Sequence, residues 1–167
     1  GSATRPTSDR TREAVFNILG TAVNDRRVMD LYAGTGALAI EALSRGARRA
    51  LLVDNARSAL ATIRKNVAAC DLNAVITLRH WDLRRRPTFL AEFTRGFDLV
   101  FMDPPYGQDL ICRTLDHLDA LGALMDAAVV VAEHHVADQL TGFLDRFRLE
   151  DQRRYGKTLV SFFEYML

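Results

Sequence analysis

Short apolar runs alternate along the chain with segments whose apolar residues recur at helical spacing. The strand-like runs cover residues 28–32, 50–53, 74–78, 97–102 and 128–132. The helical segments between them cover residues 37–43, 56–69, 88–93 and 109–121. Repeated strand and helix units of this kind form parallel sheets with helices on both faces. The pattern therefore predicts an α/β, Rossmann-like fold built on a mostly parallel sheet.

The N-terminal part of the chain predicts a helix ahead of the first strand. Thr7 or Ser8 can cap this helix, and Asp9 lies near its positive end. Its apolar residues recur at helical spacing at Val15, Ile18, Leu19 and Val23. We expect one domain, in which residues 1–24 form an N-terminal segment with this helix and residues 25–167 form the sheet core.

The C-terminal part of the chain predicts a hairpin. Residues 147–155 and 158–166 are strand-like and flank a turn at Gly156. The two strands of a hairpin are antiparallel, so we expect this one to add an antiparallel strand to the sheet. A short helix is expected before the hairpin, near residues 136–143.

Composition and charge narrow the classes of function. The chain has 167 residues, of which 49% are hydrophobic, enough for one domain with its own core. Its net charge of +1 argues against nucleic-acid binding by bulk charge, so any contact with a polyanion must be local. Cys70 and Cys112 have the spacing of neither a zinc site nor a disulfide framework, which favours a reduced, cytoplasmic protein. We expect a monomer with no bound metal and no membrane span.

Four residues directly after the apolar run at 97–102 combine a carboxylate, two prolines and an aromatic ring. They are Asp103, Pro104, Pro105 and Tyr106. Proline fixes its own φ and restricts the residue before it, so this loop presents its polar groups on a rigid frame. Open α/β sheets bind ligands at the carboxyl ends of their strands. We therefore interpret Asp103, Pro104 and Tyr106 as candidate catalytic residues that can hold a flat amino group; the alternative is that the prolines only end the strand.

Residues 30–39 end the first strand and open the next helix. Gly34, Gly36 and Ala39 match the G-x-G-x-x-G/A pattern of dinucleotide-binding loops, so an NAD enzyme is one alternative. Asp30 lies directly before the loop, where a carboxylate can hold the cationic amino-acid part of S-adenosylmethionine but would repel a pyrophosphate. S-adenosylmethionine is therefore the favoured cofactor.

Further acids follow the second and third strands. Asp54 closes the second strand, where a carboxylate can accept both hydroxyl hydrogens of a ribose. Asp82 follows the third strand and can accept the exocyclic amine of adenine, while Trp81 covers the ring. The alternatives are core packing for Trp81 and helix capping for Asp82. The candidate cofactor-binding residues are Asp30, Tyr32, Gly34, Gly36, Asp54, Asn55, Trp81, Asp82 and Asp103.

Residues 5–17, 30–36, 42–47 and 103–106 together resemble the bacterial 16S rRNA guanine-N2 methyltransferase family. The most specific element is the string Arg-Pro-Thr-x-Asp-Arg-x-Arg-Glu at residues 5–13, since glycine loops and Asp-Pro-Pro-Tyr tetrads occur in many amino-methyltransferases. The resemblance covers nearly the whole chain. It implies a seven-stranded, class I methyltransferase fold and methyl transfer from S-adenosylmethionine to a guanine of small-subunit rRNA, as free RNA or in a ribosomal particle.

This reaction needs positioning more than a strong base, because the exocyclic nitrogen of guanine is a poor nucleophile. Asp103 and the carbonyl of Pro104 can accept the two amino hydrogens, and Tyr106 can stack on an extruded base. The candidate substrate-contacting residues are Arg5, Arg10, Arg12, Pro105 and Tyr106. The three arginines are expected to contact phosphate.

Other functions remain open from the sequence. An adenine-N6 or other amino-methyltransferase is the second hypothesis, although such enzymes on DNA usually carry an additional recognition domain. A regulator that binds the cofactor without catalysis is the third. An NAD oxidoreductase ranks below these, because no group of residues resembles a hydride-transfer site.

Overall fold

The computed structural model describes residues 8–140 and 145–167 and places a mixed sheet at the centre of the protein. Within these residues the strands of the sheet are β1 (Arg27–Leu31), β2 (Arg49–Asp54), β3 (Ile76–His80), β4 (Phe97–Met102), β5 (Leu124–His135), β6 (Phe147–Tyr155) and β7 (Thr158–Tyr165). Their order is β3-β2-β1-β4-β5-β7-β6. The first five strands are parallel, and β7 lies antiparallel between β5 and β6. The expected seven-stranded, mostly parallel sheet and its antiparallel C-terminal hairpin are confirmed.

Strand β5 is much longer than the apolar pattern indicated. It spans Leu124–His135, whereas the pattern marked only residues 128–132. Its polar end, residues 133–135, pairs with residues 158–160 of β7. The backbone N–H and C=O groups of residues 133–135 form hydrogen bonds with β7, and these bonds do not depend on the side chains. The pattern of apolar side chains therefore could not reveal the extension.

Helices precede β1 and connect the parallel strands. The α-helices of the described residues are α1 (Asp9–Leu19), α2 (Ala37–Ser44), α3 (Arg57–Ala69) and α4 (Leu110–Ala120). Residues Thr88–Phe93, expected to be helical, form a 3-10 helix. Ser8 caps α1 as expected, because its Oγ accepts a hydrogen bond from the backbone N–H of Thr11 at 3.1 Å. Thr7, the other candidate cap, lies outside the described residues.

The short helix expected near residues 136–143 is wrong for residues 136–140, which form a turn and an irregular stretch. Two hydrogen bonds join Asp138 to His135 at this turn. The backbone N–H of Asp138 donates to the His135 carbonyl at 3.0 Å, and the Asp138 carboxylate accepts from the His135 N–H at 3.1 Å. These bonds close a tight turn after β5 in place of a helix. Residues 141–143 lie outside the described residues.

The two faces of the sheet bury separate apolar clusters, because side chains alternate along each strand. On one face Leu115 of α4 belongs to the same buried cluster as Met29 of β1. On the other face Phe16 of α1 packs against Phe101 of β4, with ring centroids 5.7 Å apart. Since helices cover both faces, the accessible edge lies at the carboxyl ends of β1, β2 and β4. No helix in the described part of the chain is long and apolar enough to cross a bilayer.

Candidate functional site

A cavity of about 560 Å³ opens at the carboxyl ends of the central strands. Three carboxylates from three different strands face it: Asp30 at the end of β1, Asp54 at the end of β2 and Asp103 directly after β4. All of the candidate cofactor-binding residues line this cavity except Gly36. Pro104, Pro105 and Tyr106 line it as well. We call it the acidic cavity.

The glycine loop between β1 and α2 is held by backbone contacts and packing. The N–H of Gly34 donates to the Asp54 carboxylate at 2.9 Å. Gly36 precedes the first residue of α2 with a φ of 80°, and a Cβ there would lie 3.1 Å from a Leu52 side-chain carbon. Gly36 is therefore required by its backbone conformation and by close packing against β2, and it does not line the cavity.

Asp54 fastens the glycine loop to the end of β2. One carboxylate oxygen accepts from Gly34 and the other accepts from the N–H of Ala56 at 2.9 Å. Asp54 is buried, and it lines the acidic cavity. Each carboxylate oxygen has a second lone pair, so Asp54 can hold the loop and still accept hydrogen bonds from a ligand.

Asp30 is a buried carboxylate at the end of β1. The residue is 2% exposed, and its carboxylate accepts one hydrogen bond from the N–H of Ala39 at 3.2 Å. Burial raises the pKa of Asp30 well above its usual value; the Ala39 bond opposes this shift, while the neighbouring Asp103 and Asp54 carboxylates add to it. A cavity with this arrangement favours a cationic ligand and disfavours an anionic one.

Asp82 and Trp81 lie at the cavity wall after β3 but have partners within the chain. The Asp82 carboxylate accepts from the Arg84 guanidinium at 2.8 Å, and this hydrogen bond lowers the pKa of Asp82. The Trp81 indole N–H donates to the Arg85 carbonyl at 3.3 Å, and its ring lies edge-on to Phe89. A ligand amine at Asp82 would therefore share the carboxylate with Arg84.

Two further wall residues are Asn55 and the buried Leu83. The Asn55 carbonyl lies 2.9 Å from the ring Nε2 of His80. Leu83 was not among the residues predicted from the sequence, although an apolar residue directly after a candidate adenine-binding acid indicates a place in the adenine site. An apolar side chain at this place can cover one face of a flat ring.

Tyr32 lies at the start of the glycine loop with its hydroxyl fixed. That hydroxyl is 2.8 Å from the Thr114 Oγ1 of α4. Burial raises the pKa of Tyr32 to about 12, so the phenol stays protonated at neutral pH. Tyr32 thus contributes a neutral ring and a fixed dipole to the cavity wall.

Residues 104–106 separate the acidic cavity from a smaller one. Pro104 is buried, whereas Pro105 is exposed. Two contacts hold the Tyr106 side chain. Its hydroxyl lies 3.2 Å from the Thr158 Oγ1, and its ring centroid lies 5.6 Å from that of His135. A smaller cavity of about 280 Å³ lies against the same segment and also meets the turn after β5. Pro104, Pro105 and Tyr106 therefore line both cavities.

The candidate RNA-contacting arginines lie outside both cavities where the structure describes them. Arg10 is exposed on α1, and Arg12 forms an ion pair with Asp9 at 3.1 Å. Arg5 lies outside the described residues.

Comparison with known proteins identifies the family. A family model described as Conserved hypothetical protein 95 matches residues 1–164. Ribosomal RNA small subunit methyltransferase D of Escherichia coli (strain K12) is 32% identical over 164 residues, which cover 96% of this chain and 79% of that protein. The chain belongs to this methyltransferase D family. The family resemblance inferred from the sequence is confirmed.

Solved structures agree with the fold. The structure of yhhF from Escherichia coli superposes with a TM-score of 0.86 at 29% identity, covering 99% of this chain and 90% of that one. An RNA methyltransferase from Salinibacter ruber, solved in complex with S-adenosyl-L-homocysteine, superposes with a TM-score of 0.70 at 14% identity. That alignment covers 97% of this chain and 94% of the other, and it shows a shared fold.

Proposed function

We propose that this protein transfers a methyl group from S-adenosylmethionine to the exocyclic N2 of a guanine in small-subunit rRNA. The observation that carries the proposal is the rigid segment that follows β4: Asp103 lines the acidic cavity, and Pro104, Pro105 and Tyr106 form a common wall of the acidic cavity and the smaller cavity. An amino group held at this wall would face a ligand in the acidic cavity. The family membership supports small-subunit rRNA as the substrate. The choice of guanine rests on the resemblance of residues 5–17 to the guanine-N2 methyltransferase family.

S-adenosylmethionine fits the acidic cavity in size and charge. The volume of about 560 Å³ lies within the range of roughly 300–1,000 Å³ that small-molecule sites occupy. A ligand cation relieves the repulsion among the Asp30, Asp54 and Asp103 carboxylates, whereas the pyrophosphate of NAD would add to it. Asp30 would hold the amino-acid part and Asp54 the ribose hydroxyls, with Trp81 and Asp82 beside the adenine. When bound, the cofactor supplies a methyl group on a sulfonium centre.

The chain contributes orientation and charge stabilisation. Asp103 and the Pro104 carbonyl accept the two amino hydrogens of guanine, which turns the nitrogen toward the acidic cavity. As positive charge develops on that nitrogen, the Asp103 carboxylate stabilises it. Tyr106 offers an aromatic face to an extruded base, and its contacts with Thr158 and His135 hold the ring in place before the base arrives.

We expect Asp30→Asn to stabilise the free protein at neutral pH and to weaken binding of S-adenosylhomocysteine, which retains the cationic amino group. The folded-state pKa of Asp30 lies above its ordinary value of 3.8, so the folded chain binds more protons than the unfolded chain between these values. Stability therefore falls as the pH rises through that window, and asparagine removes the loss while its amide oxygen keeps the Ala39 contact. Thermal denaturation between pH 4 and 8 and calorimetric titration measure both effects.

The gain in melting temperature of Asp30→Asn should narrow as the pH falls toward about 4, because the difference in proton binding between folded and unfolded wild type has by then largely been recovered as stability. Asp126→Asn serves as the control. Asp126 lies near the start of β5, outside the acidic cavity, and its carboxylate also accepts one backbone N–H. A stabilised variant with undiminished ligand affinity would contradict the role of Asp30.

RNA binding should be sensitive to salt and should depend on α1. Because the net charge is only +1, phosphate contacts must be concentrated in a few places. Replacing Arg10 and Arg12 by glutamine should lower the slope of log K against log salt by about 1–2, at roughly 0.7–0.9 per lost contact. The matched control replaces Arg48 and Arg95. These arginines precede the amino ends of β2 and β4, whereas the cavities lie at the carboxyl ends of the strands. Equal slopes in the two double variants would exclude α1 as the contact.

The decisive test of the reaction identifies the methylated nucleoside. Undermethylated small subunits are incubated with the enzyme and labelled S-adenosylmethionine, and the RNA is digested and analysed by mass spectrometry. We expect the label in N2-methylguanosine. Label in N6-methyladenosine would place the protein among adenine methyltransferases, and the absence of label from any RNA or DNA would favour a regulator that binds the cofactor without catalysis.

A further inference from the structure

We propose that the smaller cavity holds the target base and that Asp138 selects guanine by accepting a hydrogen bond from its ring N1–H. This inference rests on the proposed function and adds the residue that reads the ring edge. The segment from Asp103 to Tyr106 explains how an amino group is held, but any flat amino group satisfies it. Rejection of other bases requires a second contact, and the smaller cavity supplies one.

The position of the smaller cavity suits a base whose amine lies at Asp103. It shares Pro104, Pro105 and Tyr106 with the acidic cavity, and residues 137–140 after β5 form another part of its wall. Its volume of about 280 Å³ is half that of the acidic cavity. A purine that extends from Pro104, Pro105 and Tyr106 into this space would place N1, the ring atom beside its 2-amino group, toward the turn after β5.

The ring edge of guanine differs from those of 2-aminopurine and adenine at N1. Guanine carries a hydrogen on N1, directly beside the 2-amino group, whereas N1 of 2-aminopurine and of adenine is an unprotonated acceptor. A carboxylate accepts the N1–H of guanine and repels a lone pair in the same position. A site built to accept a hydrogen bond rejects an analogue that lacks the donor, because its polar group then remains unpaired.

Asp138 is the carboxylate that the fold holds in place at this cavity. Its Oδ2 accepts from the His135 N–H at 3.1 Å, and its own N–H donates to the His135 carbonyl at 3.0 Å. These two bonds tie the side chain to the end of the longest strand, leaving its other carboxylate oxygen for the base. Asp109 also lines the cavity, but it is more exposed and its side chain interacts with the thiol of Cys112.

His134 lines the same cavity but is committed to the fold. Its Nε2 lies 2.8 Å from the Ser161 Oγ, which also accepts a hydrogen bond from the Gln152 side chain at 2.9 Å. Its Nδ1 lies 3.3 Å from the His135 carbonyl. Burial lowers the pKa of His134, so the ring stays neutral at neutral pH. With both nitrogens engaged, His134 forms a wall of the cavity and does not read the base.

The test compares two bases that carry the same amino group. Small subunits are reconstituted from ligated rRNA with guanine or 2-aminopurine at the methylated position, and single-turnover rates are measured for wild type and for Asp138→Asn. The asparagine oxygen can keep the His135 contact while its amide N–H donates to N1 of 2-aminopurine. We expect wild type to prefer guanine by about 100-fold or more, and Asp138→Asn to reduce this ratio to within about tenfold while raising the rate on 2-aminopurine.

A higher rate on 2-aminopurine than that of wild type cannot arise from misfolding. Asp126→Asn, a carboxylate at the opposite end of β5 that also accepts one backbone N–H, should keep the wild-type ratio. Retention of the wild-type ratio by Asp138→Asn, or a change of the ratio by Asp109→Asn instead, would overturn the assignment. Failure of wild type to methylate the guanine substrate at all would instead overturn the proposed function.

Discussion

Asp103→Asn is expected to lower the single-turnover methylation rate by about 100- to 1,000-fold while the affinity for S-adenosylhomocysteine changes by less than about tenfold. Asparagine is close in shape to aspartate, so the turn before Pro104 is kept and only the charge is lost. The large effect on rate follows because the carboxylate is proposed to stabilise charge that develops on the substrate nitrogen. The smaller effect on affinity follows because Asp30 and Asp54 still face the cofactor.

Quenched-flow rates at saturating cofactor and calorimetric titration separate the two quantities. Asp98→Asn is the matched control on the same strand: Asp98 lies at the other end of β4, where its carboxylate accepts from the Arg27 N–H at 2.7 Å. This control can lose some stability, but its rate should equal that of wild type. Equal losses of affinity and rate in Asp103→Asn would instead place Asp103 with the cofactor alone.

Asp54→Ala should weaken binding of S-adenosylhomocysteine by about 100-fold or more, because the contacts to both ribose hydroxyls are lost. Removal of hydrogen bonds to a charged acceptor costs about 1.5–3 kcal/mol each. In this fold the same carboxylate also accepts from the Gly34 and Ala56 N–H groups. The alanine variant therefore loses the ligand contact and releases the glycine loop, and its melting temperature should fall.

Asp54→Asn distinguishes the two roles of this residue. Its single amide oxygen can accept from only one of the two N–H groups, so its affinity should lie between that of wild type and that of the alanine variant. Calorimetric titration of both variants, together with thermal denaturation, measures the ligand and loop contributions. An alanine variant that melts at a lower temperature but binds the ligand with wild-type affinity would reduce Asp54 to a structural role.

The elements that lead into the site could be predicted from the sequence because their signals are local. The apolar run of β4 spans Phe97–Met102 as the pattern indicated, and the prolines that follow end it at once. The glycine loop is local in the same way, since positive φ at Gly34 and Gly36 is needed within the turn itself. Asp30, Asp54 and Asp103 lie at or directly after the carboxyl ends of parallel strands, so the sequence also indicated that these three acids share one edge of the sheet.

Other features depend on residues that are distant in sequence, and only the tertiary structure decided them. The Tyr106 hydroxyl lies 3.2 Å from the Thr158 Oγ1, 52 residues away in sequence, and this contact joins the segment from Asp103 to Tyr106 to the C-terminal hairpin. Pairing with β7 extends β5 to its polar end, and the turn after β5 brings Asp138 to the smaller cavity. No periodicity near residue 138 signals this role, because the cavity forms only where residues 104–111 and 134–140 meet in the folded chain.

Charge partners were decided in the same way. The sequence presented Asp82 as a free acceptor for adenine, but the folded loop pairs it with Arg84. Gly36 matched a ligand-binding pattern, yet its neighbours in space are the side chains of Leu52 and Ile63. The order of residues along the chain determined which chemical groups reach the edge of the sheet. The packing of the sheet and its loops decided which of them face the cavities and which are engaged by the protein itself, because burial and hydrogen bonding depend on neighbours in space.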